Sequence, residues 1–101
     1  MSYEFKWDAA KAAANSRKHG IFFDEGVTAF GDPLSMLLPD PDHSVGEERY
    51  LVLGQARAGR LLVVAFVERP PRTRIISARL ATRRERKDYE EGQRKAGGSE
   101  P

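Results

Sequence analysis

The order of apolar and polar residues at the start of the chain predicts a strand followed by a helix. Apolar and polar side chains alternate over residues 3–7, which is the period of a strand with one buried face. The alanine-rich stretch over residues 9–18 favours a helix, and Asp8 stands where an N-cap is needed. Gly20 is placed to adopt the left-handed conformation that ends a helix.

A second, shorter helix is predicted over residues 24–30. Three apolar residues recur there at helical spacing, namely Phe23, Val27 and Phe30. Gly26 lies inside this segment, where glycine weakens a helix by up to ~1 kcal/mol relative to alanine. The sequence Gly-Asp-Pro at residues 31–33 ends the predicted helix.

Four apolar segments follow and predict strands. They cover residues 34–38, 48–54, 61–68 and 73–79. The acidic, proline-rich stretch over residues 39–46 predicts a loop. Residues 61–67 are continuously apolar, which is typical of a central strand covered on both faces. Strict alternation along the last strand places Ile75, Ser77 and Arg79 on one face.

The C-terminal segment predicts one more helix. Thr82 and Glu85 have the spacing of a capping box, and the helix is expected over residues 83–93. A single domain over residues 1–93 is expected, followed by a disordered tail over residues 94–101. Because the strands are consecutive and joined by short links, the predicted fold class is α+β. It has a mainly antiparallel sheet of four to five strands, two N-terminal helices and one C-terminal helix.

The composition excludes several kinds of site. The chain of 101 residues has no cysteine, which excludes disulfides and zinc–thiolate sites, and its two histidines are too few for a multi-histidine metal site. No apolar run reaches the ~18 residues that a membrane helix needs, and the chain does not begin with a secretory segment. We therefore expect a cytoplasmic domain with no cofactor, no metal and no membrane partner.

Positive charge is concentrated in the second half of the chain. Residues 1–59 hold six Lys or Arg against nine Asp or Glu, a net charge of −3, whereas residues 60–101 hold eleven against six, a net charge of +5. The window from Arg69 to Lys87 contains seven arginines, whose planar guanidinium groups pair bidentately with phosphate. This window favours RNA or DNA as the partner. The alternative is a solvated surface that forms salt bridges with the acidic half.

His19 is the first candidate for acid–base chemistry. It follows Lys18 in the last turn of the first predicted helix, and imidazole titrates near neutral pH. The alternative is that His19 only complements the helix dipole. His43, in the acidic loop, is expected to be solvated.

A second candidate base is Glu48, at the start of a predicted strand. Side chains alternate along a strand, so Glu48 and Tyr50 are expected on one face and Glu47 and Arg49 on the other. A carboxylate beside an arginine can orient a base or accept a proton. The alternative is a structural ion pair with an arginine across the sheet.

The third candidate cluster joins the last strand to the last helix. Arg79 ends the strand, and Arg83, Arg86 and Tyr89 lie near one stripe of the helix. Such arginines can clamp a phosphate and stabilise its developing charge, and tyrosine can stack on a base. The alternative is a cationic helix surface with Tyr89 packed in the core.

An ordered series of short motifs resembles one protein family. It is carried by Phe5-Lys6-Trp7-Asp8, Lys11, Asn15, Lys18-His19-Gly20, Phe23, Val27, Phe30-Gly31-Asp32-Pro33, Asp42-His43, Glu48-Arg49, Gly54, Arg74-Ile75-Ile76-Ser77-Ala78-Arg79, Ala81, Glu85 and Tyr89. Across residues 3–91 this series resembles the BrnT toxins of type II toxin–antitoxin systems. Gly26 and the Pro70-Pro71 turn depart from the family pattern.

The resemblance implies a RelE-like fold and a ribonuclease toxin that cleaves RNA without metal and blocks translation. It also implies a BrnA-type antitoxin, a DNA-binding protein that neutralises the toxin in a hetero-oligomer. The rival hypotheses are a non-catalytic nucleic-acid-binding module and a protein-interaction module, each using the basic surface between Arg69 and Lys87.

Metal-free RNA cleavage needs a base for the ribose 2′-OH, an acid for the leaving oxygen and cations for the phosphate. His19 or Glu48 is the expected base, Arg79 and Arg83 are expected to bear charge, and Tyr89 is expected to position or protonate. The residues expected to bind RNA are Lys18, Arg49, Arg74, Arg86 and Lys87.

Overall fold

The computed structural model describes residues 4–40 and 46–98. In chain order these residues form β1 (Glu4–Lys6), α1 (Ala9–His19), α2 (Phe23–Ala29), β2 (Met36–Pro39), β3 (Arg49–Gln55), β4 (Leu61–Arg69), β5 (Arg72–Leu80) and α3 (Arg83–Gly98). The element order matches the sequence prediction. The motif residues Asp42 and His43 lie outside the described residues.

The five strands form one sheet in the order β1-β5-β4-β3-β2. Strands β2 to β5 are antiparallel neighbours, as their short connections require. Strand β1 instead runs parallel to β5, so the first strand of the chain pairs with the last. The predicted α+β class with a mainly antiparallel sheet is confirmed, with one parallel pair at its edge.

The caps of α1 form as predicted. The Asp8 carboxylate accepts hydrogen bonds from the backbone N–H groups of Ala10 and Lys11, at 2.8 and 3.1 Å. Gly20 has a φ of 71° and donates its N–H to the Ser16 carbonyl oxygen. Only glycine adopts this left-handed conformation without a steric penalty, so Gly20 fixes the end of the helix.

The two faces of the sheet are covered unequally. On one face, which we call the helix face, α1 and α2 pack over a core that includes Val64, Phe66 and Ile75. On the other, which we call the open face, Tyr89 of α3 packs with Leu53, Leu61 and Val63. Strand β4 therefore has apolar side chains on both faces, as its continuous apolar run predicted.

A β-bulge changes which side chains share a face on β5. Ala65 pairs with Ser77 but the next residue, Phe66, pairs with Ile75, so that β5 carries one extra residue. As a result Ile75 and Ala78 pack in the same core on the helix face. Arg79 faces Val63 and lies on the open face. The prediction that Ile75 and Arg79 share a face is wrong, because strict alternation does not hold across a bulge.

Gly26 allows α2 to approach the sheet closely. A Cβ atom at this position would lie 3.3 Å from the Cβ of Ala78 and 3.5 Å from a methyl carbon of Val64. Glycine lowers the helix propensity of α2, but it allows the helix to pack closely on the sheet, which explains its place in a helix interior.

The C-terminal helix extends beyond its predicted end. Helix α3 runs to Gly98, whereas the sequence predicted an end at residue 93. Residues 99–101 lie outside the described residues, and the division between a domain and a tail stays a prediction. None of the helices over residues 4–40 and 46–98 has the length and apolar composition of a membrane span.

Candidate nucleic-acid interface

A row of basic side chains crosses the open face. Lys6 faces Arg74, Arg74 faces Val67, and Val67 faces Arg49, so the row spans strands β1, β5, β4 and β3. Directly opposed residues project from the same face of a sheet. We call Lys6, Arg49 and Arg74 the basic row.

Val67 is a buried apolar residue that lies between the two arginines of this row. It is only 2% exposed, although α3 packs over the other end of the open face. Its neighbours across the sheet on either side are Arg49 and Arg74. Arginine stems cover apolar surface while their charged heads stay in water, so this arrangement holds the guanidinium groups above an apolar floor.

Two further arginines extend the positive surface at the β4–β5 turn. Arg69 faces Arg72 across this hairpin, and each has a carboxylate partner. Glu47 accepts hydrogen bonds from Arg69 at 2.6 and 2.9 Å, and Glu4 lies 3.4 Å from Arg72. With the basic row these arginines form the basic patch, which comprises Lys6, Arg49, Arg69, Arg72 and Arg74. A pocket of about 230 Å³ opens in it, lined by Lys6, Arg69, Arg72 and Arg74.

The electrostatics of Glu47 report on the patch. The pKa of its carboxyl lies below the usual value, chiefly because Arg69 donates hydrogen bonds to it. The positive charges of Arg69, Arg74 and Arg49 lower this pKa further, while partial desolvation opposes the shift. Among the described residues, five cations and the two carboxylates that bind Arg69 and Arg72 make up this surface, so it is positively charged.

Arg79 lies on the open face, apart from the basic row. It faces Val63, four residues along β4 from Val67, which is a distance of ~13 Å. Both terminal nitrogens of Arg79 donate to the carboxylate of Glu85, at 2.8 and 2.9 Å. This pair lowers the Glu85 pKa to about 2, chiefly through the hydrogen bonds from Arg79. The charge that was expected to meet phosphate is therefore engaged by a carboxylate.

The predicted capping box of α3 is also confirmed. Thr82 N–H donates to the Glu85 carboxylate at 2.8 Å, and Glu85 N–H donates to the Thr82 hydroxyl oxygen at 3.1 Å. The Glu85 carboxylate therefore accepts hydrogen bonds both at the start of α3, from Thr82, and at the end of β5, from Arg79.

Tyr89 is a core residue in this structure. Its side chain is buried on the open face, and its hydroxyl donates a 2.5 Å hydrogen bond to Asp32. Burial first, and this bond second, raise the Tyr89 pKa to about 12. Asp32 also accepts from the backbone N–H groups of Leu34 and Gln55. This geometry corresponds to the alternative interpretation of Tyr89 and leaves its ring no room to stack on a base.

The structure does not bring the five predicted catalytic residues together. His19 ends α1, which packs on the helix face. Glu48 accepts a hydrogen bond from the Tyr50 hydroxyl, and the Tyr50 ring packs against Phe66 on the same face. Both candidate bases therefore lie on the side of the sheet opposite Arg79, Arg83 and Tyr89.

The residues predicted to bind RNA are also dispersed. Arg49 and Arg74 join in the basic row, whereas Lys18 is exposed at the end of α1, and Arg86 and Lys87 are exposed on α3. Arg83 lines a separate open pocket with Lys87 on that helix.

Sequence reasoning missed the contribution of Lys6 to the patch. Lys6 reaches Arg74 only because β1 pairs in parallel with β5, a pairing that no local pattern announces. For Arg69 and Arg72 a signal was present, since both flank the short Pro70-Pro71 turn and so face each other across a hairpin.

A model of the family described as "ribonuclease toxin, BrnT, of type II toxin–antitoxin system" matches residues 7–85. The chain belongs to the BrnT toxin family. The match covers all of the basic patch except Lys6, and it does not include Glu4, the partner of Arg72. Membership gives the chain the class of a ribonuclease toxin, with RNA as its target and an antitoxin as its partner.

A solved BrnT structure shares the fold. The crystal structure of the Brucella abortus ribonuclease toxin BrnT superposes with a TM-score of 0.63 and 20% sequence identity, covering 81% of this chain and all of that one. At this identity the likeness establishes the BrnT fold and does not transfer individual residues. The comparison with curated proteins found no match.

Proposed function

We propose that this BrnT-family chain is a metal-independent endoribonuclease that blocks translation, and that the basic patch on its open face holds the RNA backbone. The observation that carries the proposal is the basic row, which aligns Lys6, Arg74 and Arg49 across four strands above the apolar Val67. Arginine and lysine heads on an open surface neutralise phosphates, and this supplies most of the affinity for RNA whatever its sequence.

The chemistry that such a site supports is transesterification. A base removes the ribose 2′ proton, the 2′ oxygen attacks phosphorus, and the 5′ oxygen leaves with a proton, giving a cyclic phosphate and a 5′ hydroxyl. Positive groups fixed around the phosphate stabilise the charge that develops in the transition state. In the proposal Arg49 and Arg74 fill this role, with Arg79 and Arg83 beyond them on the same side of the sheet.

The general base is proposed to be Glu48, whose exposed carboxylate directly precedes Arg49 of the basic row and would have to leave the Tyr50 hydroxyl to reach a phosphate on the open face. His19, at the end of α1 on the helix face, is the second candidate. Loss of a general base lowers the rate by ~10²–10⁴ while leaving phosphate contacts in place. His19→Gln and Glu48→Gln, each tested for cleavage and for binding of the same RNA, identify which residue acts. If both variants cleave at the wild-type rate, neither is the base.

The partner is proposed to be a BrnA-type, DNA-binding antitoxin that forms a hetero-oligomer with this chain in the cytoplasm. Expression of the chain alone is expected to stop growth, and co-expression of the antitoxin is expected to restore it. Growth that continues normally with the chain alone contradicts a translation-blocking toxin.

The deciding experiment measures cleavage of a defined RNA by the purified chain in EDTA. Cleavage is expected to persist, and the double variant Arg49→Ala/Arg74→Ala is expected to lose it. The matched control is Arg57→Ala/Arg84→Ala, which removes the same charge from exposed positions outside the patch. Intact RNA with wild-type protein in EDTA contradicts a metal-independent endoribonuclease, and equal loss in both double variants refutes the patch as its site.

A further inference from the structure

Strand β5 contributes one residue to each of two pairs of like charges, and the two pairs differ in whether carboxylates of the protein compensate them. Arg72 faces Arg69, and Lys6 faces Arg74. Like charges directly opposite each other destabilise a sheet, so each pair calls for a compensating anion. The contrast between the two pairs points to a ligand.

The first pair is compensated within the protein. Glu47 binds Arg69 through two hydrogen bonds, and Glu4 lies 3.4 Å from Arg72. Two cations and two carboxylates give this pair no net charge. These arginines are held for a structural reason, since they close the β4–β5 hairpin and fasten β1 to it.

The second pair has no such compensation. Among residues 4–40 and 46–92, no carboxylate lies within ion-pair distance of Lys6 or Arg74. The positive charge of Arg74 contributes to lowering the pKa of Asp8 and of Glu47, so it lies within electrostatic range of both. Both carboxylates are already bonded elsewhere, Asp8 to the start of α1 and Glu47 to Arg69.

We propose that Lys6 and Arg74 form a phosphate-binding subsite, which grips one phosphodiester of the RNA on the open face. The inference rests on the proposed function for the source of the phosphate. The two heads line the pocket of about 230 Å³ in the basic patch, one supplying a planar fork and the other a point charge. An anion placed there relieves the repulsion that the sheet otherwise carries.

The experiment combines binding with thermal melting, because the subsite predicts opposite effects on the two. Lys6→Gln removes one of the facing charges and is expected to raise the melting temperature by ~2–5 °C at low salt. The same change is expected to weaken binding of a 2′-O-methyl RNA oligonucleotide by about tenfold and to reduce the salt slope by ~0.7. Lys6→Arg keeps the charge and is expected to retain binding.

Arg60→Gln is the matched control. It removes the same charge outside the basic patch, and it breaks the ion pair with Glu25 instead of relieving repulsion. It is expected to leave RNA affinity within about twofold of wild type and to give no rise in melting temperature. Equal losses of affinity in Lys6→Gln and Arg60→Gln show that only the net charge matters and overturn the subsite. Wild-type affinity and salt slope in Lys6→Gln overturn it as well.

Pyrophosphate gives a second, RNA-independent measurement. Added pyrophosphate is expected to raise the melting temperature of wild-type protein but not of Arg74→Gln, since the ligand relieves the repulsion only where both charges are present. An equal rise in both overturns the subsite. The 2′-O-methyl oligonucleotide cannot be cleaved, so these measurements stand whether or not the chain proves to be a ribonuclease. Loss of cleavage with intact binding contradicts the proposed enzyme and leaves the subsite in place.

Discussion

Replacing Asn15 with alanine tests how the part of β5 that does not pair with β1 is stabilised. Strand β1 pairs with β5 only at residues 72–74, so the backbone at Ala78 has a strand neighbour on one side alone. Asn15 of α1 supplies the missing partner. Its side-chain amide donates to the Ala78 carbonyl oxygen at 2.8 Å and accepts from the Ala78 N–H at 3.1 Å. It also donates to the Ile21 carbonyl oxygen at 3.0 Å.

The magnitude follows from the burial of these groups. Asn15 is 7% exposed, and Ala78 and Ile21 are both fully buried. Asn15→Ala leaves one donor and two acceptors without partners, and a buried group left unsatisfied costs ~1–3 kcal/mol. Allowing for relaxation and water entry, we expect the free energy of unfolding to fall by ~3–5 kcal/mol, within a total stability of ~5–15 kcal/mol. The melting temperature is expected to fall by ~15–30 °C.

Urea denaturation of the two proteins measures this difference directly. Ser16→Ala, the next residue of the same helix, is the matched control because its side chain is only partly buried. Hydrogen exchange adds a local measurement, since the Ala78 amide is expected to lose protection in Asn15→Ala. A change below ~1 kcal/mol, or one equal to that of Ser16→Ala, refutes the role of Asn15 as a substitute strand partner.

Three further predictions concern α3 and the glycines. The Glu85 pKa is lowered from 4.5 to about 2 by its arginine partner, so its stabilising effect is complete above pH ~4.5 and is lost as the pH falls towards 2. Urea melts are therefore expected to show Glu85→Gln less stable than wild type at pH 7, with a gap that closes near pH 2; a constant gap contradicts this. Tyr89→Phe removes the hydroxyl that Asp32 accepts and is expected to lower stability by ~1–3 kcal/mol while leaving cleavage per folded molecule unchanged; a stable but inactive variant returns Tyr89 to the catalytic set. Gly92→Ala is expected to raise the free energy of unfolding by ~0.5–1 kcal/mol, because the added Cβ would make an ordinary 3.6 Å contact. Gly26→Ala is not expected to gain stability, because its Cβ would lie at 3.3 Å in packed core; equal gains in unfolding experiments refute the packing argument.

The sequence by itself determined the local elements and the class of the fold. The N-cap at Asp8, the left-handed Gly20 and the Thr82–Glu85 capping box each formed as predicted. Their physics involves hydrogen bonds between residues no more than four positions apart, so a short window of sequence contains all the information. The continuous apolar run of β4 and the antiparallel order of β2 to β5 follow from equally local rules of burial and connection length.

The candidate site shows where this information ends. The sequence predicted RNA binding by Arg49 and Arg74, which the structure joins in the basic row, and it also grouped His19, Glu48 and Tyr89 with Arg79 as one catalytic set. The structure places the first two on the other side of the sheet and buries Tyr89 against Asp32. Charge and residue type indicate what a side chain can do, and they do not indicate which face it occupies.

The tertiary structure alone decided the arrangement of charges on the open face. Lys6 and Arg74 are 68 positions apart and meet only because the chain returns β5 beside β1. The bulge on β5, which shifts Ile75 to the helix face and leaves Arg79 on the open face, is set by packing against β4 and the helices. Choices of strand partner and register depend on the summed packing of distant segments, and the energy differences between them are spread over many contacts. No short stretch of sequence contains that sum, so the positions of these charges follow from the folded chain as a whole.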